Sequence, residues 1–322
     1  MKNKLFGQNT GLYASEMILG AAMLGTRNGY GASAKEAELI LKAYADAGGN
    51  FIDTSDRYQL GESEELVGKF IDHQRSNFII CTKYTQSNQA EPAITNRGNH
   101  RKAMRQAVES SLKRLKTDYV DIYMPHFDDG ITPLDEIIRG LEDLVTAGKV
   151  LYTGLTNFPA WKAAAIASQI RLTALEIEYN LLQRTAEREL IPMAAQFGLG
   201  TMMYSPLAGG LLTGKYRQGE AGRINRSSDS DYQENDLTKK TIDQLILIGS
   251  ELHASPGQIA MAWVMTKNAF PIIGARTVAH IHDALQAASL QLRPEHISQL
   301  DQLSAVSLGY PHDLLATVQR SS

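Results

Sequence analysis

A closed parallel (β/α)₈ barrel, the TIM-barrel class of α/β fold, is the architecture this sequence predicts, on three observations. About eight short apolar runs alternate with helical patterns, beginning near Ile18 and ending near Ile273. Polar side chains gather at the C-terminal ends of those runs, where barrels of this kind carry their sites. No G-x-G-x-x-G follows the first run and no shift in composition marks a second unit, which ranks a doubly wound open sheet second. A length of 322 residues suits one such barrel, read as a single domain over 1–322.

The first strand is read from Ile18 to Leu24. Ser33-Ala-Lys-Glu36 is a capping box, and Ala37, Ile40, Leu41, Tyr44 and Ala47 make the apolar stripe of a helix that stops at Gly48-Gly49. Asn50 to Asp53 is the second strand, with a helix around Glu62 to Asp72. Phe78 to Thr82 is the third, followed by a long helix from about Arg101 to Leu115. Tyr119 to Tyr123 is the fourth, and Thr132-Pro133 opens a helix to about Ala147 that stops at Gly148. Val150 to Leu155 and a helix near Trp161 to Ser168 come next, then Leu175 to Glu178 and a helix near Ala186 to Phe197. Thr201 to Tyr204 is the seventh strand; helical stretches around Leu237 to Leu252 and Gly257 to Met265 lead to the eighth, Phe270 to Ile273, and a helix over about Val278 to Ala288. Between the seventh strand and its helix, residues 217–236 are rich in Ser, Asp, Asn and Arg and read as a mobile surface loop.

Composition narrows the partners. With 32 Lys and Arg against 35 Asp and Glu, the formal net charge of −3 gives no field for a phosphate backbone or an anionic membrane, so neither nucleic acid nor membrane is expected. Met17 to Leu24 is too short to span a bilayer. A single cysteine, Cys81, excludes an intrachain disulfide and a thiolate metal cluster; no metal site is expected, and a cytoplasmic protein is. The pattern does not settle the oligomeric state.

The strand ends carry Asp53-Thr-Ser-Asp-Arg-Tyr58, Thr82-Lys83, Met124-Pro125-His126, Leu155-Thr156-Asn157, Tyr204-Ser205 and Gly274-Ala275-Arg276. Taken singly, each has a plain reading: Asp53 as a strand-end cap, Tyr58 as a loop anchor, Lys83 as a solvated cation, His126 as hydrogen-bonded structure. Seven ordered segments say more. FIDTSDRYQLGESEELVGKF, IICTKY, RLKTDYVDIYMPH, GLTNFPAW, EIEYNLLQRTAERELIP, YSPLAGGLLTGKY and PIIGART together resemble the aldo-keto reductase family over nearly the whole chain. That resemblance implies a nicotinamide cofactor lying across the C-terminal face and hydride exchange with a carbonyl carbon.

The resemblance assigns the family's catalytic tetrad to Asp53, Tyr58, Lys83 and His126. The roles have independent physical sense. Reducing a carbonyl leaves an alkoxide that needs a proton donor within about 3 Å, the place of Tyr58. Lys83 would stabilise the phenolate, Asp53 would hold Lys83, and His126 would orient the carbonyl and share the proton as pH dictates. Cys81, two residues before Lys83, points to the same face and reads as barrel filling.

The resemblance further implies Thr156, Asn157 and Glu176 at the carboxamide, Tyr204 under the nicotinamide ring, and Ser205, Leu207, Gly209 and Lys215 along the pyrophosphate, with Gly25, Thr26 and Arg27 completing the cradle. Gly274, Arg276, His280 and Asp283 fall at the adenosine end. Arg276 favours NADP, with NAD as the alternative, because a guanidinium binds phosphate through two hydrogen bonds. Three positions depart from the usual pattern: Glu176 stands where most relatives have glutamine, and His280 and Ala284 replace the usual adenosine-side residues. A carboxylate at 176 is expected to favour the positively charged oxidised cofactor.

The function implied is a reductase of an aldehyde or ketone, or a dehydrogenase of the matching alcohol or sugar, acting on a small molecule. The alternative is a redox-sensing regulatory subunit of little turnover, for which no appended docking segment is visible. Substrate-lining candidates are Tyr30, Tyr84, Phe127, Phe158 and the stretch near Tyr310.

Overall fold

A two-stranded antiparallel hairpin, β1 (Asn3–Leu5) and β2 (Tyr13–Ser15), opens the chain in the computed structural model, which describes residues 1–220, 222 and 234–320. Eight parallel strands follow: β3 (Ile18–Gly20), β4 (Phe51–Asp53), β5 (Ile79–Tyr84), β6 (Val120–Pro125), β7 (Val150–Thr156), β8 (Leu172–Glu178), β9 (Gly200–Tyr204) and β10 (Phe270–Gly274). They close in chain order, β10 pairing with both β9 and β3, so the expected (β/α)₈ barrel is the fold.

The helices are α1 (Ala34–Asp46), α2 (Glu62–Ile71), α3 (Arg101–Leu115), α4 (Leu134–Thr146), α5 (Ala160–Ala167), α6 (Leu190–Gln196), α7 (Asp236–Leu252), α8 (Pro256–Met265), α9 (Val278–Gln286), α10 (Pro294–Leu303) and α11 (His312–Arg320). Local chemistry sets their starts. Ser33 caps α1 by accepting from the Glu36 amide at 3.3 Å, and Ser255 and Gln258 form a reciprocal box at α8. Among the described residues, no helix is long and apolar enough to cross a membrane.

Strand alternation decides what the barrel holds. The inward faces carry Ile18, Phe51, Ile79, Cys81, Ile122, Met124, Ala174, Met202, Phe270 and Ile272, all buried in one cluster. Toward the C-terminal rim the same faces turn polar, with Asp53, Lys83 and Glu176 following on β4, β5 and β8. The outward faces pack on the helices, among them Ile52, Ile80, Tyr84, Tyr123 and Leu175.

The hairpin was not foreseen. It delivers Phe6 to the N-terminal end of the barrel, where the ring meets Phe51 at 5.4 Å edge-on and Phe270 at 5.0 Å. Phe6→Ala is therefore expected to cost about 3–5 kcal/mol, read as a lower midpoint in urea unfolding at unchanged slope.

Other boundaries moved for stated reasons. The first barrel strand is only Ile18–Gly20, since Ala21 O already accepts from the Leu24 amide as the chain turns. The helix expected from Ala186 to Phe197 is a 3₁₀ turn, Thr185–Glu187, and then α6, because Pro192 has no amide to give and is tolerated only in a first turn. Most of the loop expected at 217–236 lies outside the described residues. At its near end Arg217 pairs with Glu234 at 2.8 Å and Asp243 at 2.7 Å.

Candidate active site at the barrel mouth

Asp53 ends β4, and residues 54–57 cross the rim to a 3₁₀ turn, Tyr58–Gly61, that brings the phenol over the barrel. Lys83, near the end of β5, is fully buried. Its Nζ donates to Asp53 Oδ1 at 2.5 Å and to Thr54 O at 3.1 Å, lies 3.1 Å from Glu176 Oε2, and stands 5.2 Å from the centre of the Tyr58 ring. His126 follows β6, its ring edge-on to Tyr58 with centroids 5.5 Å apart. The four residues expected to act together are thus brought together.

Their ionisation is set by burial. The Lys83 ammonium is disfavoured by burial, but Asp53 and Glu176 outweigh that and hold its pKa well above the usual value. Burial pushes Asp53 up, opposed by Lys83. Burial first and Asp53 second push Glu176 up to about 8. For Tyr58, Lys83 pulls the phenol down as anticipated, yet burial outweighs it and the net direction is upward, so the phenol stays protonated. His126 was expected to share the proton as pH dictates; burial, then Lys83, push it down to about 3, so the imidazole is neutral around pH 7.

Two groups, Ser55 and Glu64, escaped the sequence reading, and Asn157 makes contacts beyond the carboxamide role expected of it. Ser55 is buried and places its hydroxyl 3.1 Å from His126 Nδ1, fixing the ring. Asn157, in a left-handed conformation (φ +55°), donates to His126 O at 3.0 Å and accepts from Tyr204 Oη at 2.9 Å, linking the imidazole loop to the aromatic platform. On the helix side of β5, Glu64 of α2 accepts from Thr82 at 2.6 Å and from Arg114 at 2.7 Å. The Ser and Glu were visible inside FIDTSDRYQLGESEELVGKF, but only tertiary packing shows what they touch.

The cofactor-side residues divide. Tyr204 is half-exposed at the mouth beside Asn157. Ser205 (φ +54°), Ala208 (φ +49°), Gly209 (φ +68°) and Gly210 (φ +97°) adopt left-handed conformations after β9, the kind of backbone that makes anion-binding concavities, with Leu207 (φ −102°) between them. Lys215 stands at its edge, 5.2 Å from the Tyr216 ring. Arg276 stacks on Tyr30 at 4.3 Å, and Lys215 and Arg276 both push His280 down after burial does, with Asp283 opposing, so these groups share one place. Asp283 also accepts from Gln258 at 2.7 Å, and Gly274 is exposed with open space around it.

Two expectations meet competing contacts. The Thr26 and Arg27 amides are already taken by Glu62 Oε2, at 2.7 and 2.9 Å, and Gly25 (φ +110°) is where the chain passes that carboxylate. A phosphate would have to displace it. Thr156 turns its hydroxyl to Met124 Sδ at 2.6 Å, inside the barrel. Of the aromatic candidates for a substrate wall, Tyr84 and Phe158 are buried in the helix-facing core, whereas Tyr30 and Phe127 are half-exposed.

A parallel barrel carrying a buried ammonium, carboxylates, a phenol and an imidazole at its C-terminal mouth is the frame of an oxidoreductase. The sequence pattern described as "Aldo/keto reductase family" matches residues 16–305. The chain is 32% identical to aldo-keto reductase ausK of Aspergillus calidoustus over 97% of this chain and 84% of that protein. It is equally 32% identical to the aryl-alcohol dehydrogenase, NADP(+), of Phanerodontia chrysosporium, over 97% and 88%. An uncharacterized oxidoreductase of Bacillus subtilis, YrpG, is 34% identical over 91% and 93%. The chain belongs to the aldo-keto reductase family, an NAD(P)-dependent family of enzymes acting on small carbonyl and alcohol substrates.

Proposed function

We propose that this protein interconverts an aldehyde or ketone and its alcohol with NADP(H), taking aromatic substrates in preference to sugars. The observation that carries the reading is the buried Asp53–Lys83 pair set beneath Tyr58 and His126. The residues present fit a nicotinamide dinucleotide: an aromatic face at Tyr204, a left-handed backbone run after it, and cations gathered at Arg276 and Lys215. When bound, the nicotinamide supplies or accepts the hydride. Tyr58 holds the proton for the alkoxide oxygen, and its raised pKa keeps that proton in place across the neutral range. Lys83 eases its departure by stabilising the phenolate, and Asp53 fixes Lys83. His126, neutral and held by Ser55, orients the carbonyl. Half-exposed Phe127, its ring 6.3 Å from that of His126, gives the mouth an aromatic wall, and the fungal relative's name as an aryl-alcohol dehydrogenase supports the same substrate class.

Fluorescence titration with NADPH and NADH, then loss of nicotinamide absorbance with benzaldehydes, aliphatic ketones and sugars, tests this. Arg276→Ala is expected to weaken NADPH binding about 10- to 100-fold, the worth of a charge-assisted phosphate contact, and to leave NADH within about twofold. Equal weakening of both removes Arg276 from the 2′-phosphate, and tight binding without turnover on every substrate removes the reductase reading.

A further inference from the structure

We propose that Glu176 keeps a proton while the mouth is free and releases it to bulk water when an oxidised nicotinamide binds, so that uptake of NADP+ is coupled to proton release and uptake of NADPH is not. The inference rests on the cofactor reading above and deepens it at one residue.

Two carboxyl groups share one ammonium. Asp53 and Glu176, on β4 and β8, are both 2% exposed, and Lys83 is wholly buried between them. The sharing is unequal. Asp53 takes a short hydrogen bond from Lys83, while Glu176 Oε2, although 3.1 Å from the same nitrogen, has no hydrogen-bond partner, and the Glu176 carboxyl interacts instead with Asp53, which raises Glu176 and lowers Asp53. Were both acids ionised, the trio would carry a net negative charge out of reach of solvent, with one carboxylate oxygen unsatisfied. With Glu176 protonated the trio is neutral.

The other groups facing Glu176 do not relieve it. The Cys81 thiol, on β5, lies with the two carboxyls inside a 4.8 Å cluster and is pushed well up by burial, then by Asp53, so it adds neither charge nor counter-ion. Tyr58 and Tyr204 are both shifted upward and stay neutral. His126 is uncharged, and Glu178, two residues along β8, is a further acid at the exposed end of the strand. Lys83 is therefore the one cation in this set, and Asp53 has the first claim on it. The upward shift of Glu176, to about 8, agrees with that geometry.

A positively charged ring over the mouth changes the balance. Ionised Glu176 then compensates the ring; the carboxyl O–H breaks, the proton leaves for water, and no other bond changes. A reduced, uncharged ring gives Glu176 no reason to ionise. NADP+ affinity accordingly rises with pH until Glu176 is ionised in the free protein too.

Calorimetric titration of the full chain with NADP+ and with NADPH at pH 7, in buffers of different ionisation enthalpy, counts the protons. The expected result is release of up to one more proton with NADP+ than with NADPH. In parallel, the ratio of the NADP+ to the NADPH Kd is expected to fall by about tenfold between pH 6 and pH 8.5, the change given by one unit of linked pKa shift. Groups at the phosphate end, Lys215, Arg276 and His280, act on both cofactors alike and cancel in that ratio. Glu176→Gln is expected to bind both forms with no extra proton and a flat ratio. Equal proton counts in the wild type overturn the inference, as does a pH-dependent ratio that persists in Glu176→Gln. Should that variant fail to fold, the wild-type count decides alone. Absence of binding by either form removes the cofactor reading along with the inference, a result distinct from binding with equal proton counts, which removes the inference only.

Discussion

Tyr58→Phe is expected to lower turnover of an aryl aldehyde by about 10²–10⁴-fold while leaving the NADPH Kd within about twofold. On the proposed mechanism the phenol oxygen delivers the proton to a carbonyl bound at the mouth, and its loss leaves the ring in place to pack edge-on against His126 at 5.5 Å. Binding and turnover thus separate in this variant, whereas a merely structural tyrosine would degrade both. The pH profile adds a second check. With His126 pushed down to about 3 and the Tyr58 phenol shifted upward, the wild-type reduction rate has no protonation step from either group between pH 5 and pH 8. Wild-type turnover in Tyr58→Phe would reassign the proton donor.

Lys83→Met has consequences for the fold as well as the reaction. Removing the ammonium leaves Asp53 and Glu176 buried with no cation, a loss of about 3–5 kcal/mol when one member of a buried pair is deleted. The pH dependence has a definite sign. Without Lys83 both carboxyls are held further above their ordinary range, and a group with a raised folded pKa stabilises fully below its unfolded value and loses that stability as pH rises through the folded value. The deficit of Lys83→Met relative to wild type is therefore expected to be small at pH 5 and largest above pH 8, measured by urea unfolding at each pH. An equal deficit at both ends of that range would mean that Lys83 does not hold down the ionisation of the two acids. Turnover falls at every pH, since nothing then eases the proton from Tyr58.

The barrel was readable because its signals are local. A serine cap at Ser33, glycines at Gly48 and Gly148, and apolar runs of strand length each act within a few residues, although the Glu36 carboxylate of the expected box reaches Val278 N instead. The polar strand ends were readable for the same reason. The hairpin that carries Phe6 was not, since three-residue strands have no period of their own and exist through the residues they meet. α10 had a signal that went unused: Pro294 at a first helical turn, then Ile297, Leu300 and Leu303 at helical spacing. Tyr84 was assignable by parity alone. Lys83 faces inward, so its neighbour faces the helices, and the ring stacks on Tyr123 at 5.2 Å. Ser55 at His126 and Glu62 on the Thr26 and Arg27 amides belong to a different category, since both join residues distant in sequence through loops that no periodicity describes. The fate of Glu176 likewise depended on how many acids compete for one lysine, which only three strands seen together reveal.

The aromatic closure at the hairpin end also governs exchange with water. Phe6, Phe51 and Phe270 fill the barrel's N-terminal end, and the apolar inward residues above them hold no polar path to Lys83. Protons and small solutes reach the buried lysine, Cys81 and the two acids by way of the mouth, past Tyr58 and Tyr204. A ligand seated there is a cork as well as a reactant: it narrows the route by which the buried lysine and the two acids exchange protons with water.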